Sequence, residues 1–308
     1  MNEPGINAST RVCGVFGWPI RHSASPAMHN AAFGGYGMNW KYLAFEVRPE
    51  KLREALLGAR SMGFMGVNLT LPHKLLAMEM MDVLDGTALE WGAVNTVRFE
   101  GRAPDGSWHP LAGFDQNHPL ELRAQGFNTD AAGLEMGLRE DLQLGMAGLK
   151  VIVLGAGGAG RMAALKCASA GAQRVHVINR TTARAAEVAV EAARRFPSAT
   201  IKMDYPSDSV DLLINATSLG LNPGDELPFD SSVFSLSRVG AVYDMIYKPA
   251  ETRLIAAAKK AGCRTANGIS MLAGQGALAF ELWTGRPGPL IQMKRAAEQM
   301  IYGNECHF

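Results

Sequence analysis

Neither sign of charge dominates this chain of 308 residues, in which 30 Lys and Arg stand against 29 Asp and Glu for a formal net charge of +1. Without a basic surplus there is no electrostatic case for nucleic acid as a partner. Long apolar runs are missing as well. No uninterrupted stretch approaches the roughly 20 residues that cross a bilayer, and residues 1–10 are polar, without the basic-then-apolar order of a secretory leader. A soluble, cytoplasmic protein with no membrane partner is expected. Cysteine is scarce and scattered: Cys13, Cys167, Cys263 and Cys306 form no Cys-x-x-Cys pair and have no nearby histidine at ligand spacing. Reduced, mostly buried thiols are favoured over disulfides or zinc, and no metal is assigned. There are no internal repeats.

What is present is an alternation of short apolar runs with helical stretches, in a chain long enough for two domains. That order predicts parallel sheets with crossover helices, an α/β fold. Strands are expected over residues 12–16, 66–71, 93–99, 175–178, 210–214 and 239–244. Helices are expected over 25–33, 49–62, 130–141 and 271–300. Ser25-Pro26 reads as a helix cap followed by proline at the first helical position. Residues 100–127 are rich in turn formers and polar side chains and read as a surface loop or lid. The boundaries put residues 1–129 with 269–308 in one lobe and 130–268 in a second, Rossmann-type lobe, with a cleft between them.

The most informative segment is residues 151–160, where an apolar run enters Gly155-x-Gly157-x-x-Gly160 and an alanine-rich helical stretch ending near Ala170 follows. A strand entering a tight glycine turn and then a helix brings backbone close to a pyrophosphate, and the helix N-terminus stabilises its negative charge. Gly158 and Ala159 complete the turn. In NAD-binding units an acidic residue about 20 positions further on bonds the ribose 2′-hydroxyl. Here that place reads Asn179-Arg180-Thr181, with Arg184 one helical turn beyond. Arginine cannot accept from a hydroxyl, but its planar fork of donors suits a 2′-phosphate. Two such arginines with the acid missing predict NADP; a single one would read as a solvated helix-start charge.

Polar clusters also interrupt apolar sequence elsewhere, at 17–26, 66–74, 92–96 and 128–130. Buried polar groups need partners, so such clusters invite a ligand explanation. Together with Asn215-Ala216-Thr217-Ser218, with Asp244-Met245-Ile246-Tyr247-Lys248-Pro249 and with residues 268–275, they give a chain that resembles the shikimate dehydrogenase family over nearly its whole length.

The resemblance implies an NADP-dependent oxidoreductase that reversibly reduces 3-dehydroshikimate to shikimate in aromatic amino-acid biosynthesis. It assigns catalysis to Lys74 and Asp130. Such a pair suits ketone reduction, because an ammonium can stabilise a developing alkoxide and supply the proton while a carboxylate orients and relays. A lone lysine after a strand is more often a surface charge or a structural ion pair, and only its cluster tips the reading. By the same resemblance Ser23, Ser25 and Tyr247 bond the substrate carboxylate, and Thr70, Asn95 and Gln275 read its hydroxyls. Ser25 is also explained as a helix cap. In the second lobe Thr217 and Ser218 follow a strand end and face the cofactor, with an ordinary turn as the plainer explanation. Gly268 and Met271 match contacts to the nicotinamide end, although a methionine also serves as core filler. His22, His29 and His73 receive no primary role. The protein is expected as a monomer or homodimer. Two further readings stay open: a quinate/shikimate dehydrogenase of quinate catabolism, and a non-catalytic ligand sensor. Retention of both Lys74 and Asp130 weighs against the sensor.

Overall fold

The computed structural model describes residues 5–114 and 119–303, which leaves Cys306 outside the described residues. The chain divides into two units, one of residues up to 130 together with those from 273 onward, the other of residues 131–272. Along the sequence the first unit contains β1 (Arg11–Gly17), α1 (Ser25–Gly35), β2 (Trp40–Glu46), α2 (Leu52–Ser61), β3 (Gly66–Leu69) and α3 (His73–Leu76). It continues through β4 (Val83–Leu84), α4 (Gly86–Trp91), β5 (Thr96–Arg102), β6 (Trp108–Pro110) and β7 (Leu122–Phe127). The second contains most of α5 (Asp130–Leu142), then β8 (Lys150–Leu154), α6 (Gly158–Ser169), β9 (Arg174–Ile178), α7 (Thr182–Arg195), β10 (Thr200–Lys202) and β11 (Val210–Asn215). It ends with β12 (Val239–Asp244), α8 (Arg253–Lys260) and β13 (Arg264–Asn267), after which α9 (Ile269–Thr284) and α10 (Leu290–Tyr302) close the chain.

The first sheet has the order β2-β1-β3-β5-β7-β4, with β6 paired to β5. Strands β1, β2 and β3 are parallel, whereas β5 runs against β3, β6 and β7. Helix α10 packs on α1, and Phe33, Tyr42, Phe280 and Trp283 are all but inaccessible beneath them. Each side chain of that size contributes about 1.5–3 kcal/mol relative to exposure. Trp283 fixes the seam by donating from Nε1 to the Val97 carbonyl at 2.9 Å, and a Cβ on Gly66 would come within 2.1 Å of the same indole nitrogen.

One expectation changes here. Residues 100–127 do not form a loose lid: β5, β6 and β7 extend the sheet through this region, apart from residues 115–118, which lie outside the described residues. Its polar side chains suggest a solvated loop because they pair with one another. Glu100 is 1% exposed, held by Arg98 and by Arg123 Nε at 2.6 Å. Those arginines in turn cover Phe127 and Trp108. The helical region expected over 271–300 is built as two helices, because Gly285 takes a left-handed φ of +67°, a conformation that stops a helix, and Pro287 and Pro289 follow.

The second sheet is wholly parallel, in the order β10-β9-β8-β11-β12-β13. Its central strand β8 is buried from Val151 to Leu154, the apolar run that a strand covered on both faces requires. The strand order reverses direction between β8 and β11, and ligands of open α/β sheets bind beyond the strand ends at such a switch point. Leu154 and Asn215 are register partners there. The glycine turn and the segment 215–218 therefore leave the sheet side by side.

Candidate active site

In the first unit three sequence segments converge on one carboxylate. Lys74, in α3 just past the end of β3, places Nζ 2.7 Å from Oδ2 of Asp130, the first residue of α5. Asn95, immediately before β5, donates from Nδ2 to the other oxygen, Oδ1, at 2.9 Å. The pair is neither sealed nor solvated: the Lys74 side chain is 30% exposed and that of Asp130 14%. Their approach is set by backbone pairing. The Val94 amide donates to the Lys74 carbonyl, the Leu69 amide to the Asn95 carbonyl, and the Asn95 amide to Phe127. Asn128 completes the frame by bonding the Asp130 amide with Oδ1 and the Ala93 carbonyl with Nδ2.

Behind Asn95 the polar groups are buried and paired. Its Oδ1 accepts from the Thr129 amide at 2.8 Å and from Thr96 Oγ1 at 3.0 Å. Asn68 Nδ2 bonds Thr96 Oγ1 at 3.0 Å, and Tyr42 donates its phenolic proton to Asn68 Oδ1 at 2.7 Å. A lysine and a carboxylate locked together, reachable from solvent and backed by a desolvated amide, form an arrangement that can hold and move a proton beside a substrate oxygen.

In the second unit the glycine turn has the shape of a phosphate cradle. A Cβ on Gly160 would sit 2.1 Å from the Gly155 carbonyl oxygen, and Gly155 itself has φ +105°, so neither position admits another residue. Gly157 and Gly158 face open space instead. The first amides of α6 have no intrahelical acceptor and point there with the positive end of the helix dipole. Asn179 ties this turn to the next strand, accepting from the Ala156 amide at 3.1 Å and donating to the Thr181 carbonyl at 2.9 Å. Arg180, Thr181 and Arg184 are exposed around the start of α7. The residues present thus fit a dinucleotide phosphate on the glycine turn, with donors and no acidic side chain at the ribose end.

Models of shikimate dehydrogenase domains match three stretches: the substrate binding domain over residues 15–97, shikimate/quinate 5-dehydrogenase over 139–220, and the shikimate 5′-dehydrogenase C-terminal domain over 268–298. The chain is 39% identical to a shikimate dehydrogenase (NADP+) of Methanopyrus kandleri, over 94% of this chain and 96% of that one. The chain belongs to the shikimate dehydrogenase family. Among solved structures it is similar to a shikimate dehydrogenase in complex with NADP+, with TM-score 0.82 and 35% identity over 96% of this chain and 98% of the other. A shikimate 5-dehydrogenase of Thermus thermophilus in complex with NADP(H) and shikimate gives TM-score 0.76 and 36% identity over 94% and 99% of the two chains.

The family's other expected positions are distributed over both units. Ser23 and Ser25 lie together, Ser23 Oγ accepting from the Ser25 amide at 3.3 Å. Ser25 is not a helix cap, which is a correction: the capping position of α1 is Ala24, without a side-chain bond. Thr70 follows β3, its amide on the Phe16 carbonyl. Gln275 is half-buried on α9 in the first unit, whereas Tyr247 belongs to the second, where burial pushes its phenol pKa up. Thr217 bonds Asn215 Oδ1 at 2.8 Å and receives the Leu219 amide, so it shapes its turn, while Ser218 is exposed. Gly268 passes so close to Met245 that a Cβ would lie 2.1 Å from its carbonyl oxygen, and Met271 is half-buried in α9. Tyr42, Asn68, Thr96 and Thr129 received no role from sequence. Three of them sat inside the polar clusters; Tyr42, in an ordinary strand, carried no signal.

Proposed function

We propose that this chain is a shikimate dehydrogenase, which reversibly reduces 3-dehydroshikimate to shikimate with NADPH on the route to chorismate and the aromatic amino acids. The observation that carries the reading is the Lys74–Asp130 pair at 2.7 Å with Asn95 on the second carboxylate oxygen, in a chain that also holds a glycine-turn cradle. Bound NADP exchanges the hydride. In the reduction Lys74 donates the proton to the ketone oxygen and stabilises the charge that develops there, and Asp130 holds the ammonium in place. In the oxidation the pair takes the hydroxyl proton.

In the first unit Ser23 and Ser25 are assigned to the substrate carboxylate and Thr70, Asn95 and Gln275 to its hydroxyls; Tyr247 of the second unit is likewise assigned to the carboxylate. Gly155, Gly157, Gly158, Ala159 and Gly160 hold the pyrophosphate. Arg180, Thr181 and Arg184 hold the 2′-phosphate, with Asn179 shaping their loop, and Thr217, Ser218, Gly268 and Met271 line the cofactor's other end. Residues 1–129 with 269–308 serve the substrate and 130–268 the cofactor. We place it in the cytoplasm as a monomer or homodimer; no described helix is long and apolar enough to cross a membrane.

The test is the initial rate of NADPH formation with shikimate and with quinate separately, and with NAD in place of NADP. Turnover confined to shikimate and NADP is expected. Comparable turnover of quinate moves the reading to catabolism, and silence with both acids overturns it.

A further inference from the structure

In the first unit hydrogen bonds link Tyr42 through Asn68, Thr96, Asn95 and Asp130 to Lys74, and the direction of each can be derived. The Asn95 backbone carbonyl can only accept, and Asn68 Nδ2 reaches it at 3.2 Å. That contact fixes which end of the Asn68 amide is nitrogen. Asn68 Oδ1 therefore faces Tyr42, whose hydroxyl must donate. On the other side, the second proton of Asn68 Nδ2 goes to Thr96 Oγ1. The Thr96 proton is then directed to its nearer acceptor, Asn95 Oδ1 at 3.0 Å rather than Thr129 Oγ1 at 3.4 Å. With its oxygen so engaged, Asn95 turns its nitrogen to Asp130.

We propose that Thr96 and Asn68 are positioning residues for the Lys74–Asp130 pair: through Asn95 they keep an amide nitrogen, rather than an amide oxygen, against the Asp130 carboxylate. The inference rests on the shikimate dehydrogenase reading. Burial gives it force. Tyr42 and Thr96 are 0% exposed, Asn95 2% and Asn68 5%, so a broken link is not replaced by bulk water and its partners stay unpaired. A reversed Asn95 amide would set oxygen against carboxylate oxygen and nitrogen against the Thr129 N–H. Once the Thr96 hydroxyl is gone, only Thr129 resists that reversal, through its amide on Asn95 Oδ1 and its Oγ1, which accepts from Asn95 Nδ2 at 2.9 Å.

The decisive comparison is Thr96→Val with Thr96→Ser in the full chain. Thr96→Val keeps the shape and loses the hydroxyl; it is expected to lower kcat for shikimate oxidation about tenfold, the worth of a buried hydrogen bond, with KM for NADP unchanged. Thr96→Ser restores the hydroxyl and is expected to recover kcat. A packing role alone predicts no such recovery. Wild-type kcat in a folded Thr96→Val, or equal loss in both variants, overturns the proposal. Should Thr96→Val fail to fold, Tyr42→Phe removes one donor further along, and an unchanged kcat there overturns it equally. Exchange of the Asn95 side-chain amide protons, followed by NMR, reads the relay without substrate: slow in wild type and Thr96→Ser, faster in Thr96→Val. If wild type fails to oxidise shikimate, the functional reading falls, and equal exchange rates in wild type and Thr96→Val would then sink the relay separately.

Discussion

The imidazole of His29 lies flat on the ring of Tyr42, with centroids 4.2 Å apart and 10° between the planes. Trp283 leans over it at 5.3 Å. His29 is fully buried, and neither ring nitrogen has a hydrogen-bond partner among the described residues.

Burial pushes the His29 pKa from 6.5 down to about 3, because the cation has no partner in an apolar site. The unfolded chain takes up a proton as pH falls through 6.5, whereas the folded chain refuses it until about 3. The contribution of neutral His29 to stability is complete above that window and is lost progressively on acidification, at up to about 1.4 kcal/mol per pH unit. Urea unfolding of wild type and His29→Phe across this range is expected to give a shallower pH dependence for the variant. A uniform packing offset leaves the slope untouched, so parallel curves count against the assignment.

Gly160 and Gly157 occupy one motif for different reasons. A methyl at Gly160 collides with the Gly155 carbonyl, whereas one at Gly157 meets nothing within 4 Å. Gly160→Ala is expected to distort the turn and lower the unfolding temperature. Gly157→Ala should leave that temperature within about 2 °C, since ordinary surface changes cost little, yet raise KM for NADP by occupying the open face. Equal thermal loss in both variants argues that neither glycine serves a ligand.

The cofactor unit was legible because one local pattern dictates its geometry: β8, the glycine turn and α6 are consecutive in sequence, and parallel strands buried on both faces read as apolar runs. The substrate unit was less so. Lys74 and Asp130 are separated by 56 residues, and nothing local says that they meet; the family's pattern paired them, and it gave Asn95 to the substrate hydroxyls, not to the second carboxylate oxygen it bonds. Glu100, Arg98 and Arg123 illustrate the opposite failure, since charged residues that neutralise one another inside a sheet have the composition of a loop. Strand β2 escaped notice because its alternation is imperfect, and with it went Tyr42.

The proposal gives Arg180 and Arg184 the discrimination of NADP from NAD through charge-assisted bonds to the 2′-phosphate. Both stand exposed at the start of α7, where the first turn carries no acidic residue. Arg180→Ala is expected to raise KM for NADP about tenfold or more, as loss of a charge-assisted phosphate contact does, with KM for NAD unchanged. Arg184→Ala should act in the same direction. Equal weakening of both cofactors means that the arginines support the loop rather than read the 2′-phosphate.

Lys74 and Asp130 stand or fall as a unit. Removing Lys74 leaves the Asp130 carboxylate held by Asn95 alone among the described residues, and on the proposed mechanism it takes the proton donor from the ketone oxygen. Lys74→Ala is expected to lower kcat by about 10²-fold or more, the usual worth of a positioned acid/base group, with a smaller change in KM for shikimate. Asp130→Asn keeps the shape but loses the charge that holds the ammonium, and should likewise act on kcat. The double variant discriminates. Groups that work in one step are strongly non-additive, so Lys74→Ala with Asp130→Asn is expected to be little slower than the slower single variant. Losses that multiply would mean two independent tasks, and the 2.7 Å contact between them would then be a structural ion pair beside the chemistry.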